Sequence, residues 1–200
     1  MALGLLELAS IAVGIHVGDA MVKRSPVDEI ISGTVHPGKY LVLVDGDVAS
    51  VVEAMEAGRE VSSTSLLDEI FLADPHPGVQ KAVRGERQTE GAEAVGIVEL
   101  KTAASLLGAA DRALKGAEVV LREMHLADAL GGKSYCLFQG IVSDVEAAVE
   151  IAVDGLRDPS LLVEQVVIPQ LHADMSNNIS HAAGFAANLQ SRSTLGGRSA

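Results

Sequence analysis

The sequence predicts an α+β protein built from two tandem ferredoxin-like units, each with the element order βαββαβ. Two observations carry this prediction. A short apolar run at 2–8, Ala-Leu-Gly-Leu-Leu-Glu-Leu, returns 92 positions later at 94–100 as Ala-Val-Gly-Ile-Val-Glu-Leu. Each run is followed by the same succession of helical and strand-like patterns. Self-similarity at a fixed period indicates a duplicated structural unit.

The repeat continues beyond the first strand. At the offset of 92, Asp19 aligns with Asp111 and Lys23 aligns with Lys115. The second copy then gains two residues, after which Gly38-Lys39 aligns with Gly132-Lys133 and Gly46-Asp47-Val48 with Gly140-Ile141-Val142. Because the turn signals keep their order, we interpret the chain as two copies of one domain.

Hydrophobic periodicity predicts the elements of each copy, since short apolar runs are typical of buried strands and a period near 3.6 is typical of helices. In the first copy we expect strands at 2–8, 27–35, 39–45 and 66–72 and helices at 11–24 and 47–59. In the second copy we expect strands at 94–100, 119–127, 133–139 and 161–168 and helices at 103–116 and 143–153.

Composition suggests where the domains end. We expect a first domain at 1–84, a linker at 85–93, which is polar and flanked by glycine, and a second domain at 94–173. Residues 174–200 are rich in Ser, Asn and Gly and are expected to form a flexible tail, with room for a short helix around 182–190.

Composition also excludes several classes of function. The chain has 200 residues, a net charge of −12 and only 2% aromatic residues. Nucleic-acid binding rests on basic residues that neutralise phosphates, so no nucleic-acid partner is expected. No apolar run approaches the ~20 residues that cross a bilayer, and no basic stretch precedes the first strand, so neither a membrane partner nor a signal peptide is expected. The single cysteine, Cys136, excludes an internal disulfide framework.

Four strings that occur in order in both copies resemble the bacterial microcompartment shell domain. In the first copy they are Gly-Leu-Leu-Glu-Leu, Asp-Ala-Met-Val-Lys, Pro-Gly-Lys and Gly-Asp-Val-Ala-Ser-Val. In the second copy they are Gly-Ile-Val-Glu-Leu, Asp-Arg-Ala-Leu-Lys-Gly-Ala, Gly-Gly-Lys and Gly-Ile-Val-Ser-Asp-Val. The resemblance extends from residue 2 to about residue 172.

Two unpermuted copies resemble the trimeric class found in propanediol-utilising compartments. This resemblance implies a homotrimer that forms a pseudohexameric tile, packs edge to edge with other shell proteins, and has a central pore for small metabolites or, in some members, electrons. It also implies a location in a microcompartment shell within the cytoplasm.

The resemblance further implies which residues line the pore. They belong to two turns and are Val35, His36, Pro37 and Gly38 in the first copy and Asp128, Ala129, Leu130 and Gly131 in the second. A trimer would bring three copies of His36 around one axis, where imidazole nitrogens can hold a transition metal. The alternative is that His36 is a polar pore-lining residue that helps to select metabolites. The second turn is either a pore wall or simply a longer hairpin connection.

Propanediol-type relatives carry an iron–sulfur cluster on a cysteine at the position that His36 occupies here. Iron–sulfur clusters are held mainly by thiolates, and Cys136 lies in a predicted strand. We therefore expect no iron–sulfur cluster, and no cofactor other than a metal at the threefold axis.

Lys23 and Lys115 each follow an aspartate by four residues on a predicted helix, which alone predicts a surface ion pair. The family resemblance implies instead that both lysines lie at the tile edge. The arginine that often serves edge packing in the family is absent from the corresponding segments, which are Asp74-Pro75-His76-Pro77 and Pro169-Gln170-Leu171-His172.

No nucleophile–base arrangement, phosphate-binding loop or metalloprotease helix is visible, so enzyme activity is not expected. Glu7 and Glu99 end their first strands and are expected to accept hydrogen bonds within their units or across an interface. The family resemblance implies a structural shell tile instead. One rival hypothesis is a tile that differs only in having a redox centre in its pore. The other is a small-ligand-binding regulatory oligomer, because the fold alone does not distinguish such a protein from a shell tile.

Overall fold

The computed structural model describes residues 1–88 and 94–181 as two α+β units. The first unit comprises β1 (Ala2–Leu8), α1 (Ile11–Arg24), β2 (Glu29–Val35), β3 (Lys39–Gly46), α2 (Val48–Ser62), β4 (Leu66–Leu72) and α3 (Pro77–Val83). The second comprises β5 (Ala94–Leu100), α4 (Ala103–Gly116), β6 (Val120–Leu126), β7 (Ser134–Gly140), α5 (Val142–Asp154), β8 (Leu162–Ile168) and α6 (Ala173–His181). None of the helices described is long and apolar enough to cross a membrane.

Each unit contains one four-stranded sheet. The strand orders are β2-β3-β1-β4 and β6-β7-β5-β8, and all paired strands are antiparallel. This is the ferredoxin-like arrangement, and the predicted boundaries of its strands and helices agree with the structure to within three residues. The predicted fold class is confirmed.

Strand β1 is buried on both of its faces. Its side chains alternate, so that Leu6 and Leu8 pack with α1 and α2 in one core, whereas Leu3 and Leu5 belong to a second core shared with the other unit. The sheet of the first unit is therefore enclosed between its own helices and the second unit.

Side-chain caps begin most of the long helices. Ser10 Oγ accepts a hydrogen bond from the amide of Val13 at the start of α1, and Thr102 does the same for Ser105 at the start of α4. The Asp47 carboxylate accepts from two amides at the start of α2, at 3.0 and 3.1 Å. Each cap satisfies amides that the helix itself leaves unpaired.

Two helices follow the last strands and were not predicted where they lie. Helix α3 starts with Pro77 and is capped by His76. Helix α6 occupies residues for which a flexible tail was expected, at 174–181, and is held by tertiary contacts. Arg122 Nη2 donates to the Ser176 carbonyl (2.9 Å), and Arg87 Nη2 donates to the Ile179 carbonyl (3.1 Å). The helix predicted around 182–190 and the linker residues 89–93 lie outside the described residues.

Candidate functional site

The two units meet along an interface that we call the seam, in which the open face of the first sheet packs on α4. Leu3 and Leu5 of β1 share one core cluster with Leu106 and Leu107 of α4. The burial of apolar area in such a contact is the main term that holds units together. The seam therefore fixes how the two units are placed.

A fully buried carboxylate, that of Glu7, lies in the seam. Its Oε1 is 2.6 Å from Lys39 Nζ, and its Oε2 accepts a hydrogen bond from the Ala103 amide (2.7 Å) in the first turn of α4. Lys39 Nζ also donates to the carbonyls of Lys101 (3.3 Å) and Gly132 (3.1 Å). All three ammonium hydrogens thus have acceptors, which is the condition for a buried ion pair to be tolerated.

Asp68 of β4 supplies a second carboxylate to the same end of α4. Its Oδ2 accepts from the Thr102 hydroxyl (2.5 Å) and from both the amide (3.1 Å) and the hydroxyl (2.6 Å) of Ser105. Negative charge is favourable at a helix N-terminus because the helix dipole is positive there. The first unit therefore completes the N-terminus of a helix in the second.

Polar contacts also close the other end of the seam. Asp111 Oδ1 accepts from the His76 amide (2.7 Å), and its Oδ2 is 2.6 Å from Lys115 Nζ. Lys115 Nζ donates in addition to the Asp74 carbonyl (2.6 Å). Lys23, its counterpart in the repeat, bonds to Asp19 at 2.6 Å with 73% of its side chain exposed. The two predicted edge lysines therefore have different surroundings within one chain.

The two turns predicted to line a pore lie against each other. His36 Nδ1 is 3.3 Å from Asp128 Oδ1, and it accepts a hydrogen bond from the Ala129 amide at 3.3 Å. The side chains of His36 and Asp128 are 70% and 76% exposed. The structure thus brings a basic nitrogen and a carboxylate from different units together at the surface.

The second turn, residues 127–133, has an unusual backbone. Ala127 (φ 60°) and Ala129 (φ 58°) lie in the left-handed backbone region that residues other than glycine rarely adopt. Gly132 (φ 86°) packs so closely that a Cβ placed on it would lie 3.0 Å from Lys39 Cε. The turn therefore combines left-handed backbone with close packing against the first unit.

An iron–sulfur cluster does not fit the described residues. Cys136 is fully buried in β7, and burial strongly raises the pKa of its thiol, so it offers no thiolate to the turns. Within residues 1–88 and 94–181, no group of three His, Cys, Asp or Glu side chains of one chain could hold a metal ion. A metal at His36 would need ligands from other chains.

The sequence analysis missed a polar cluster on the open face of the second sheet. Glu123 is buried, forms an ion pair with Arg87 and accepts from the Tyr135 hydroxyl (3.2 Å), while His125 stacks on the Tyr135 ring with 4.8 Å between centroids. The corresponding positions of the first unit are Ile31, Gly33 and Leu41, as the strand registers show. Charged residues inside the predicted strand were the signal that could have identified this cluster.

The ends of the chain expose the surfaces that the seam buries. On α1, Ile11, Ile15 and Val22 are 39%, 58% and 42% exposed, whereas their counterparts on α4, which are Ala103, Leu107 and Leu114, are buried. On the other side, Val166 of β8 is 44% exposed, whereas its counterpart Ile70 of β4 is partly buried and packs against the shared core. The chain thus contains one formed seam and, on α1 and β8, exposed apolar residues at positions equivalent to those in that seam.

Both units match the BMC domain family, over residues 2–75 and 94–171, and the chain belongs to this family. It is a shell protein of a bacterial microcompartment. It is 41% identical over 174 residues to the bacterial microcompartment shell protein PduT of Citrobacter freundii. The aligned residues are 87% of this chain and 95% of the relative. It is 25% identical over 192 residues to the carboxysome assembly protein CcmO of Synechocystis, of which it spans 64%.

Solved structures agree with this assignment. A microcompartment protein from Desulfitobacterium hafniense DCB superimposes with a TM-score of 0.79 at 39% identity, over 88% of this chain and 98% of the other. The fused permuted hexameric shell protein MSM0275 has a TM-score of 0.55 at 17% identity, over 77% of this chain and 80% of the other. The second likeness bears on the fold alone.

Proposed function

We propose that this chain forms a homotrimeric, pseudohexameric shell tile whose central pore is lined by the two turns and passes small metabolites. The observation that carries the proposal is that the two ends of the chain carry, unpaired, the two halves of the seam. Contacts already formed inside the chain therefore serve as a template for contacts between chains.

The end of the seam at His76 and Asp111 gives the clearest template for a contact between chains. Within the chain the His76 amide donates to Asp111, and the repeat places His172 and Asp19 at the corresponding positions. His76 and His172 have the same local geometry, because the Nδ1 of each accepts from the amide two residues further on, at 3.1 and 3.2 Å. We expect the His172 amide of one chain to donate to Asp19 of the next.

The buried ion pair at the other end of the seam, between Glu7 and Lys39, also has a counterpart in the second unit. Glu99 and Lys133 correspond to Glu7 and Lys39, and their charged atoms lie 2.5 Å apart. In this pair, however, both side chains are partly exposed, as half of an unclosed seam would be. When a second chain docks, the first turn of its α1 takes the place that α4 has in the formed seam, and Glu99 caps it.

Contacts of this kind are heterologous, since two different surfaces meet, and such contacts generate rings when the rotation closes. Two units in each chain give six units in three chains, with three seams inside chains and three between them. The second turn of each chain then lies between His36 of its own chain and His36 of the next. The pore-lining residues of all three chains surround one axis.

The rim of the proposed ring carries Lys23 and Lys115, through which the tile would contact other shell proteins. Lys115 is fixed by Asp111 and by the Asp74 carbonyl. When the ring closes, Lys23 gains a second acceptor, the carbonyl of Gln170 in the neighbouring chain, which corresponds to the Asp74 carbonyl that Lys115 contacts. Both lysines are then held in place at the rim.

Native mass spectrometry tests the trimer. Three chains of 20.7 kDa give about 62 kDa. Ile15→Asp places a charge on the free face of α1 and is expected to yield monomers, whereas the control Val48→Asp, on an exposed residue at the start of α2, is expected to leave the trimer intact. A monomeric or dimeric parent protein, or a trimer indifferent to Ile15→Asp, contradicts the proposal.

A transition metal on the threefold axis is a second candidate role for the turns. The observation that favours it is the 3.3 Å approach of Asp128 Oδ1 to His36 Nδ1, which adds a carboxylate oxygen to each imidazole. Elemental analysis of purified trimer, compared with His36→Ala, tests this role. Without metal that depends on His36, this side chain is a polar pore-lining residue only.

A further inference from the structure

The strongest remaining surface feature is the outward face of α6. Met175 in this helix is 52% exposed, although α6 itself is anchored within its own chain by Arg122 of β6 and by Arg87, which follows the first unit. We propose that α6 is a clasp between chains, which packs Met175 against Val22 of α1 and Ile30 of β2 in the next chain. The inference rests on the proposed trimer and adds an interface element to it.

Helix α3 is the internal counterpart of α6. Both helices follow the last strand of a unit, and both begin after a histidine whose carbonyl accepts from the amide four residues on, at 3.2 Å in α3 and 2.9 Å in α6. This register aligns His76 with His172 and therefore Val79 with Met175. The position that α3 occupies across the seam predicts the position of α6 across the junction between chains.

Across the seam, α3 contacts α4 and β6 of the second unit. Val79 is fully buried and belongs to one core cluster with Leu114 and Leu121. A Cβ placed on Gly78 would lie 3.1 Å from the Leu114 side chain, so the first turn of α3 lies directly on α4. An apolar residue at the third position of this helix is thus buried by the neighbouring unit.

The partners of Met175 follow from the repeat. Val22 corresponds to Leu114 at the offset of 92, and Ile30 corresponds to Leu121, since the partners of these two residues on the adjacent strands, Val44 and Phe138, are themselves equivalent. Val22 and Ile30 are exposed in the single chain, as Met175 is. Three exposed apolar side chains therefore stand where the formed seam has three buried ones.

The anchors of the two helices also agree with this role. Arg84, directly after α3, binds Asp45 and Glu29 of its own unit, as Arg122 of β6 holds α6 to the second unit. Each helix is thus fixed to its own sheet and presents an apolar residue to the unit beyond. Because α6 is held in place before docking, little additional ordering entropy opposes the contact.

Dissociation of the trimer on dilution, followed by mass photometry, tests the clasp. Met175→Glu is expected to raise the dissociation constant by about tenfold or more, because a charge replaces a buried apolar contact, while Met175→Leu changes it little. Since Met175 is exposed in the chain, both variants should keep the parent circular dichroism spectrum.

A cysteine pair gives an independent readout. The double variant Val22→Cys/Met175→Cys should form disulfide-linked species between chains on mild oxidation, and Val48→Cys/Met175→Cys, the matched control, should not. A trimer whose dissociation is unaffected by Met175→Glu and whose cysteines do not cross-link overturns the clasp while leaving the trimer standing. A parent protein that is monomeric at all concentrations overturns both.

Discussion

Tyr40 packs directly on the backbone of α1 at Gly14, where an added Cβ would lie 2.5 Å from the Tyr40 Cβ. The repeat places Leu106 and Ser134 at the two equivalent positions of the second unit, and both are fully buried. The large residue is therefore on the strand in the first copy and on the helix in the second copy.

This exchange predicts strong coupling between positions 14 and 40. Gly14→Leu alone overpacks the first core and should lower the free energy of unfolding by about 1–3 kcal/mol. Adding Tyr40→Ser, which reproduces the pairing of the second unit, should recover most of this loss. Urea unfolding of the two single variants and the double variant measures the coupling, and strictly additive effects would contradict the account.

The buried pair in the seam predicts different outcomes for two equivalent glutamates. Glu7→Gln leaves the charge of Lys39 without its counter-ion in a buried site and should cost about 3–5 kcal/mol of unfolding free energy. Glu99→Gln affects a partly exposed pair and should change unfolding little, but should weaken the trimer. Chemical denaturation measures the loss of unfolding free energy, and native mass spectrometry measures the loss of trimer. If Glu7→Gln and Glu99→Gln caused equal losses in both assays, the seam would not be the template for contacts between chains.

The starts of α2 and α5 differ in one useful respect. Asp47 (φ −70°, ψ 156°) caps α2, whereas Ile141 (φ −74°, ψ 155°) has the same backbone geometry at the start of α5 and provides no side-chain cap. Ile141→Ser should therefore stabilise the protein by about 0.5–2 kcal/mol. Thermal unfolding checks this, with Asp47→Ala as the matched loss of a cap. A lower melting temperature for Ile141→Ser would show that its exposed side chain serves another contact.

The polar cluster of the second unit predicts a pH dependence. Burial, and then the positive charge of Arg87, lowers the pKa of His125. Because the folded protein holds this proton less tightly than the unfolded chain, the associated stability is complete above the usual histidine pKa of about 6.5 and is lost as the pH falls towards the lowered value. The urea midpoint of the parent should fall more steeply between pH 7 and 5 than that of His125→Gln. Parallel profiles would contradict this assignment.

The elements of the repeat were predictable because their periodicity is local and occurs twice. Helix α3 was not predicted, although a capping residue followed by proline, here His76 and Pro77, is a helix-start signal. Helix α6 was missed because its polar sequence is stabilised by contacts with Arg122 and Arg87, which lie far away in the chain.

The site was predictable only in part, for the same reason. The hydrogen-bonding role of Glu7 could be inferred from its place at the end of a strand, whereas the choice of the two turns rested on the family resemblance. Lys39 and Asp68 could not be singled out, because their partners at Gly132, Thr102 and Ser105 come from the other unit. Equivalent residues also have different environments, since only one seam forms within a chain.

The covalent link between the two units has a kinetic consequence. A tether makes the association of its two ends intramolecular, with an effective concentration that does not change when the protein is diluted. In the proposed trimer, one seam in every two is therefore formed at any protein concentration, and three chains rather than six separate units have to meet. If dilution separates the chains of the proposed trimer, each chain still keeps its own seam, and reassembly has to form only the three contacts between chains.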